Sequence, residues 1–241
     1  MSDALHIAFA VEGTTDFIVL KEIIGKILNN RDFVATPIQP EISALMKARP
    51  GEFGLGWSGV YRWCRQAVEQ SEGTISDNPL FAAHDLLIVQ LDADVAEKKY
   101  SDGHIEDPIP EAPLPCVRPC PPPSATTDHL RNVIAAWLGG DPLPPQMLVC
   151  TPSKSLETWI LAALFPEDSV IKTGDVECQS NPDNILQSKP KNRRLIASGK
   201  KIVKKYEEFA PEIAGQWEFI KEKCTEARRF EADFLSAYQA R

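Results

Sequence analysis

Two short apolar runs, Leu5 to Val11 and Leu86 to Leu91, each end on acidic residues. Continuous apolar runs of this length predict strands packed beneath helices on both faces of a sheet. Strand patterning recurs at Phe33–Ile38, closed by Pro37 and Pro40, and at Gln146–Cys150. After the first strand, Phe17, Leu20, Ile23, Ile24, Ile27 and Leu28 fall at helical spacing, with Thr14 or Thr15 placed to cap and Asp16 in the first turn. Further helices are expected from Gly59 to Glu72, from Ser124 to Leu138 (stopped by Gly139-Gly140-Asp141-Pro142) and from Ser153 to Phe165. This alternation predicts an α/β fold: a parallel sheet flanked by helices, with a C-terminal helical region.

Three stretches break the pattern. Residues 50–59 contain Gly51, Gly54, Gly56 and Gly59; such a loop can cradle phosphate, but its spacing fits no nucleotide-binding fingerprint, and a flexible connector is the simpler reading. Residues 95–123 are dense in proline and acid, which excludes helix and central strand and predicts an insertion over the sheet edge or a partner-binding arm. Residues 166–188 are polar and turn-rich. Residues 196–240 then return to a helical pattern anchored by Ile202, Tyr206, Phe209, Ile213, Trp217, Ile220, Phe230, Phe234 and Leu235, with Pro211 beginning a new helix. The expected organisation is an α/β domain over 1–165 and a basic linker with a helical cap over 166–241.

Composition adds bounds. The 241 residues suit one large α/β domain with an appendage. A net charge of −8 argues against a uniformly basic nucleic-acid coat but allows a local basic groove. Such a groove is suggested by Lys189, Lys191, Arg193, Arg194, Lys200, Lys201, Lys204 and Lys205, which follow one another without an intervening acid. No apolar stretch reaches the about 20 residues of a membrane span, and the N-terminus lacks the regions of a signal peptide, so a cytoplasmic protein with no membrane partner is expected. Its six cysteines are then expected as thiols. Cys116 and Cys120 have no matching second pair for zinc.

The candidate chemistry sits at the strand ends. Ligands of open α/β sheets bind beyond the carboxyl ends of the strands. Glu12, Asp92 and Asp94 are therefore expected to converge, and clustered carboxylates suit Mg²⁺ or Mn²⁺. Asp92 and Asp94 lie two apart and would share a face if the strand period persisted. Gly13 would let the backbone turn beside the metal. Asp16 and Glu157 are further metal candidates, each equally explained as a helix-dipole acid. Lys154 is a candidate to meet a phosphate or developing charge, with a solvated lysine as the simpler reading.

Glu12-Gly13, followed in order by Asp92-Ala93-Asp94, resembles the TOPRIM superfamily of topoisomerases, primases and OLD-family nucleases. Glu12-Gly13-Thr14-Thr15-Asp16 followed by Leu20 resembles the OLD-like branch most, and Ser155-Leu156-Glu157-Thr158-Trp159 is similar to its later glutamate motif. The resemblance spans roughly residues 5–165. It implies a Mg²⁺- or Mn²⁺-dependent nuclease, with DNA favoured over RNA, acting in antiphage defence. The chain has no Gly-Lys-Ser/Thr phosphate loop, so the ATPase implied by the resemblance would be a separate subunit. The alternatives are a TOPRIM-like binding or regulatory subunit without catalysis and a small-molecule phosphotransferase.

Overall fold

The computed structural model describes residues 4–41, 52–71, 75–140, 142–179 and 181–240. Strands β1 (Leu5–Ala10), β2 (Phe33–Gln39), β3 (Leu86–Gln90) and β4 (Met147–Cys150) form one parallel sheet in the order β2-β1-β3-β4. Ile7 pairs with Leu86, and Leu87 with Met147. Parallel strands need crossovers, and helices supply them. Helix α1 (Thr14–Ile27) follows β1; α2 (Trp57–Glu69) and α3 (Leu80–Ala83) separate β2 from β3; α4 (Ser124–Trp137) separates β3 from β4. Beyond β4 come α5 (Glu157–Leu164), α6 (Ser169–Lys172), α7 (Pro182–Gln187), an antiparallel hairpin of β5 (Ile196–Ala197) and β6 (Lys200–Lys201), then α8 (Val203–Gly215), α9 (Trp217–Lys223) and α10 (Thr225–Ala240). Because β2 lies on one side of β1 and β3 on the other, the strand order reverses between β1 and β3. That reversal opens a crevice at their carboxyl ends.

The continuous apolar runs have a direct cause: successive side chains enter two separate cores. Ile7, Phe9, Leu86, Ile88 and Leu148 meet α1, α5 and the C-terminal helices, where Trp159 lies edge-on to Trp217 at 5.6 Å. Ala8, Ala10, Leu87, Val89 and Met147 meet α2 and α4, around Trp63, Tyr100 and Trp137. Full burial contributes about 1.5–3 kcal/mol for each large apolar side chain, so neither layer is dispensable. The C-terminal helices share the first core with the sheet. Among the described residues no helix is long and apolar enough to cross a membrane.

Several elements depart from expectation. Pro37 lies within β2, which is an edge strand and tolerates the missing donor. Neither Thr14 nor Thr15 caps α1; Gly13 holds that position without a side-chain bond. The helix expected from Ser153 begins at Glu157, because Lys154 takes left-handed backbone (φ 62°), which no right-handed helix can include. Residues 196–201, expected as helix, form the hairpin, and Pro211 lies inside α8 instead of starting a helix. The proline-rich insertion packs on the α2–α4 face through Ile105, Ile109, Ala112 and Leu114, with the Tyr100 hydroxyl donating to Ala112 O. Its end is fastened by a disulfide between Cys120 and Cys178, which corrects the expectation of six thiols. The fold brings those two residues to a Cα separation of 5.5 Å, although 58 positions apart, a proximity that spacing cannot reveal. Gly51, Glu72 and Asp141, named in the expected loop, helix end and stop signal, lie outside the described residues.

Candidate functional site

Glu12 leaves the end of β1 and Asp92 the end of β3, on neighbouring strands. The Asp92 N–H donates to Glu12 Oε1 at 2.7 Å. Between them, Gln90 receives the Glu12 N–H at Oε1 (3.2 Å) and donates from Nε2 to Asp92 Oδ1 (2.8 Å). The Leu156 N–H completes the set at 3.0 Å from the same Asp92 oxygen. The Gly56 N–H donates to Glu12 O, so the glycine loop also abuts this corner. Gly13 has extended backbone (φ −156°) that any residue adopts. What it provides is room, since a Cβ there would lie 3.0 Å from Asp16 Oδ2.

A cavity of about 370 Å³ opens beside these bonds. Asp92, Asp94, Glu97, Lys98, Lys154, Ser155, Glu157, Asp183 and Lys201 contribute to its wall. Asp94 lies in a tight helical turn, Ala93–Glu97, instead of continuing the strand, yet it reaches the same cavity as Asp92. Its carboxylate pairs with Lys98 at 3.5 Å, and Lys154 pairs with Glu97 at 2.9 Å. Lys201, at the end of the hairpin, carries its ammonium to 2.7 Å from Glu157 Oε1 and 3.7 Å from Asp16 Oδ1. The Tyr206 hydroxyl donates to Glu157 Oε1 at 2.8 Å. Asp16 Oδ1 and Glu157 Oε2 are buried without a hydrogen-bond partner.

The electrostatics are those of crowded acids. Burial of the Glu12 carboxyl, reinforced by Asp16 and Asp94, pushes its pKa up to about 8 against the Asp92 N–H and Lys201. Asp92 is raised well above the ordinary carboxylate range by burial and then by Glu12 and Asp16. Burial also raises Asp16 and Asp94. Glu157 goes the other way: burial opposes its charge, but Lys201 and the Tyr206 hydroxyl outweigh it. Burial likewise opposes charge on Lys201, while Asp16, Glu157 and Asp92 hold its ammonium well above the ordinary lysine range. Asp183, which sequence reading missed, is pushed up to about 6 by burial and by Glu157.

The fold thus gathers Glu12, Asp16, Asp92, Asp94, Lys154 and Glu157 at one edge. Among the described residues, however, no group of three His, Cys, Asp or Glu side chains is arranged to hold a metal ion. The physical reason is visible: Asp16 and Glu157 converge on an ammonium, and Glu12 Oε1 is turned to a backbone N–H.

The basic cluster is divided. Lys201 is drawn into the acidic site, not into an outward basic groove with its neighbours. Lys189 pairs with Asp168, Arg193 with Glu212 and Lys205 with Glu208, and Arg194 donates to Lys189 O. Lys191, Lys200 and Lys204 are exposed and have no ion-pair partner among the described residues. Comparison with family models, with curated proteins and with solved structures returns no match in any of the three.

Proposed function

We propose that this chain is a nuclease of the OLD-like TOPRIM type that cleaves phosphodiester bonds, DNA in preference to RNA, with Mg²⁺ or Mn²⁺. The observation that carries the reading is the pairing of Glu12 and Asp92 across the switch point of a parallel sheet, beside a cavity lined by Asp92, Asp94 and Glu157. The donors have the chemistry a hard cation takes, since all are carboxylates and Asp16 Oδ1 and Glu157 Oε2 are buried without a hydrogen-bond partner, although no three of the described side chains are gathered around one point. Glu12, Asp92 and Asp94 would hold the ion, with Asp16 and Glu157 in reach. A divalent cation there supplies charge that polarises the scissile phosphate and stabilises the leaving oxygen. Lys201 and Lys154 place positive charge at the cavity wall. Lys191, Lys200 and Lys204 offer contacts to the phosphate backbone. A separate ATPase partner and a role in antiphage defence follow from the resemblance alone.

A second reading, a nucleic-acid- or partner-binding subunit without catalysis, is favoured by one observation: Lys201 already balances Asp16 and Glu157 from within. Mn²⁺ titration calorimetry separates the two. The nuclease reading expects wild-type binding that disappears in a folded Asp92→Asn, Asp94→Asn double variant, together with metal-dependent cleavage of DNA. Absent binding at millimolar Mn²⁺, and uncut DNA and RNA, would leave the binding subunit.

A further inference from the structure

Gln90 is the last residue of β3 and is 0% exposed. It breaks the apolar pattern of Leu86, Leu87, Ile88 and Val89, and a buried amide is costly unless its polar atoms are met. Its neighbours fix which way it points. The Glu12 N–H can only donate, so the carbonyl oxygen of Gln90 faces it, and the NH₂ is thereby turned to Asp92 Oδ1. That oxygen also takes the Leu156 N–H, while the Asp92 N–H returns to Glu12 Oε1. Glu12, Gln90 and Asp92 therefore close a ring of hydrogen bonds across the carboxyl ends of β1 and β3.

We propose that Gln90 is a positioning residue of the site: its amide fixes Asp92 Oδ1 to the protein, leaving Oδ2 as the oxygen that Asp92 presents to a divalent cation. The inference rests on the metal reading above and adds the atom that binds and the group that orients it. A carboxylate with one oxygen committed to two donors offers the other along a single direction, so a cation meets a preset ligand. The same amide holds the Glu12 backbone, so one side chain couples both carboxylates to the sheet.

Two variants of similar length test it. Gln90→Met removes both bonds without adding charge. Gln90→Glu keeps an acceptor for the Glu12 N–H and, once ionised, loses the donor to Asp92. Mn²⁺ affinity is read by calorimetry, and thermal melting without metal is read alongside. Loss of an orienting partner typically weakens metal binding by about 10–100-fold. That loss is expected in both variants while each still melts cooperatively; if Gln90→Glu does not fold, Gln90→Met decides alone. A Gln90 with only a structural role would lower the melting temperature and leave the Mn²⁺ affinity of the folded variants unchanged. Unchanged or tighter binding, with wild type binding normally, overturns the positioning role and leaves the metal reading standing. No binding by wild type removes both.

Discussion

Lys201 is the side chain on which the resting site depends most. Removing one partner from a buried ion pair leaves an uncompensated charge and costs about 3–5 kcal/mol. The Lys201 side chain keeps 30% of its exposure, so the lower end of that range, about 3 kcal/mol, is expected for Lys201→Met in urea unfolding without metal at pH 7. The pH dependence carries the sign. In wild type Glu157 is held below its ordinary value, so its contribution is present above the ordinary carboxylate range and lost as pH falls through the lowered value. Without Lys201, burial dominates and raises Glu157, so the variant loses stability as pH rises. The deficit should therefore be larger at pH 8 than at pH 5, and equal deficits would count against Lys201 as the counter-ion. Glu12 and Asp92 were legible in the sequence because each closes an apolar run. Gln90 and Asp183 were not, and Lys201 was read only as one of a basic cluster. A single glutamine at a strand end has no period, and the other two arrive on a two-residue strand and a six-residue helix with no repeating pattern of their own.

At the level of elements, the β5–β6 hairpin joins two roles that composition alone had merged. Lys200 is exposed and Lys201 reaches inward, as alternation along a strand requires, and Lys204 is exposed in the first turn of α8. Only the outward lysines can meet a nucleic-acid backbone. A Lys200→Gln, Lys204→Gln double variant should weaken DNA binding evenly across sequences and reduce the slope of log affinity against log salt by about 2. The Lys205→Gln substitution, which removes a lysine paired with Glu208, should change it less. Equal slopes in both variants and wild type would remove the hairpin from the binding face. The parallel sheet was readable because both cores bury it. The hairpin was hidden by its helix-like flanks, and Pro211 misled for a related reason. A proline inside a helix costs about 3 kcal/mol, but α8 buries Tyr206, Phe209, Ala210, Ile213 and Ala214 on one face, and that packing carries the helix through.

For the whole molecule, the site couples folding to protons and, on the proposed reading, to a metal ion. The fold raises Glu12 to about 8, Asp183 to about 6 and Asp92 well above its ordinary value. A carboxyl whose pKa is raised by folding binds more protons in the native state than in the unfolded one. The metal-free protein therefore loses stability as pH climbs from the ordinary value of Glu12, 4.5, towards 8. On the proposed metal reading a divalent cation would reverse that trend, because it would bind the ionised acids and displace their protons. Two consequences are measurable. The rise in melting temperature given by a fixed Mn²⁺ concentration should be small at pH 5.5 and grow towards pH 8. Calorimetry near pH 7 in buffers of different ionisation enthalpy should show release of about one proton or more for each ion bound. In the Asp92→Asn, Asp94→Asn variant both effects should shrink together, since Glu12 loses the neighbours that complete its ligand set. A Mn²⁺ stabilisation that is the same at both pH values, with no proton released, would place the ion elsewhere on a surface that carries a net charge of −8, and the carboxylates at the switch point would then serve the fold alone.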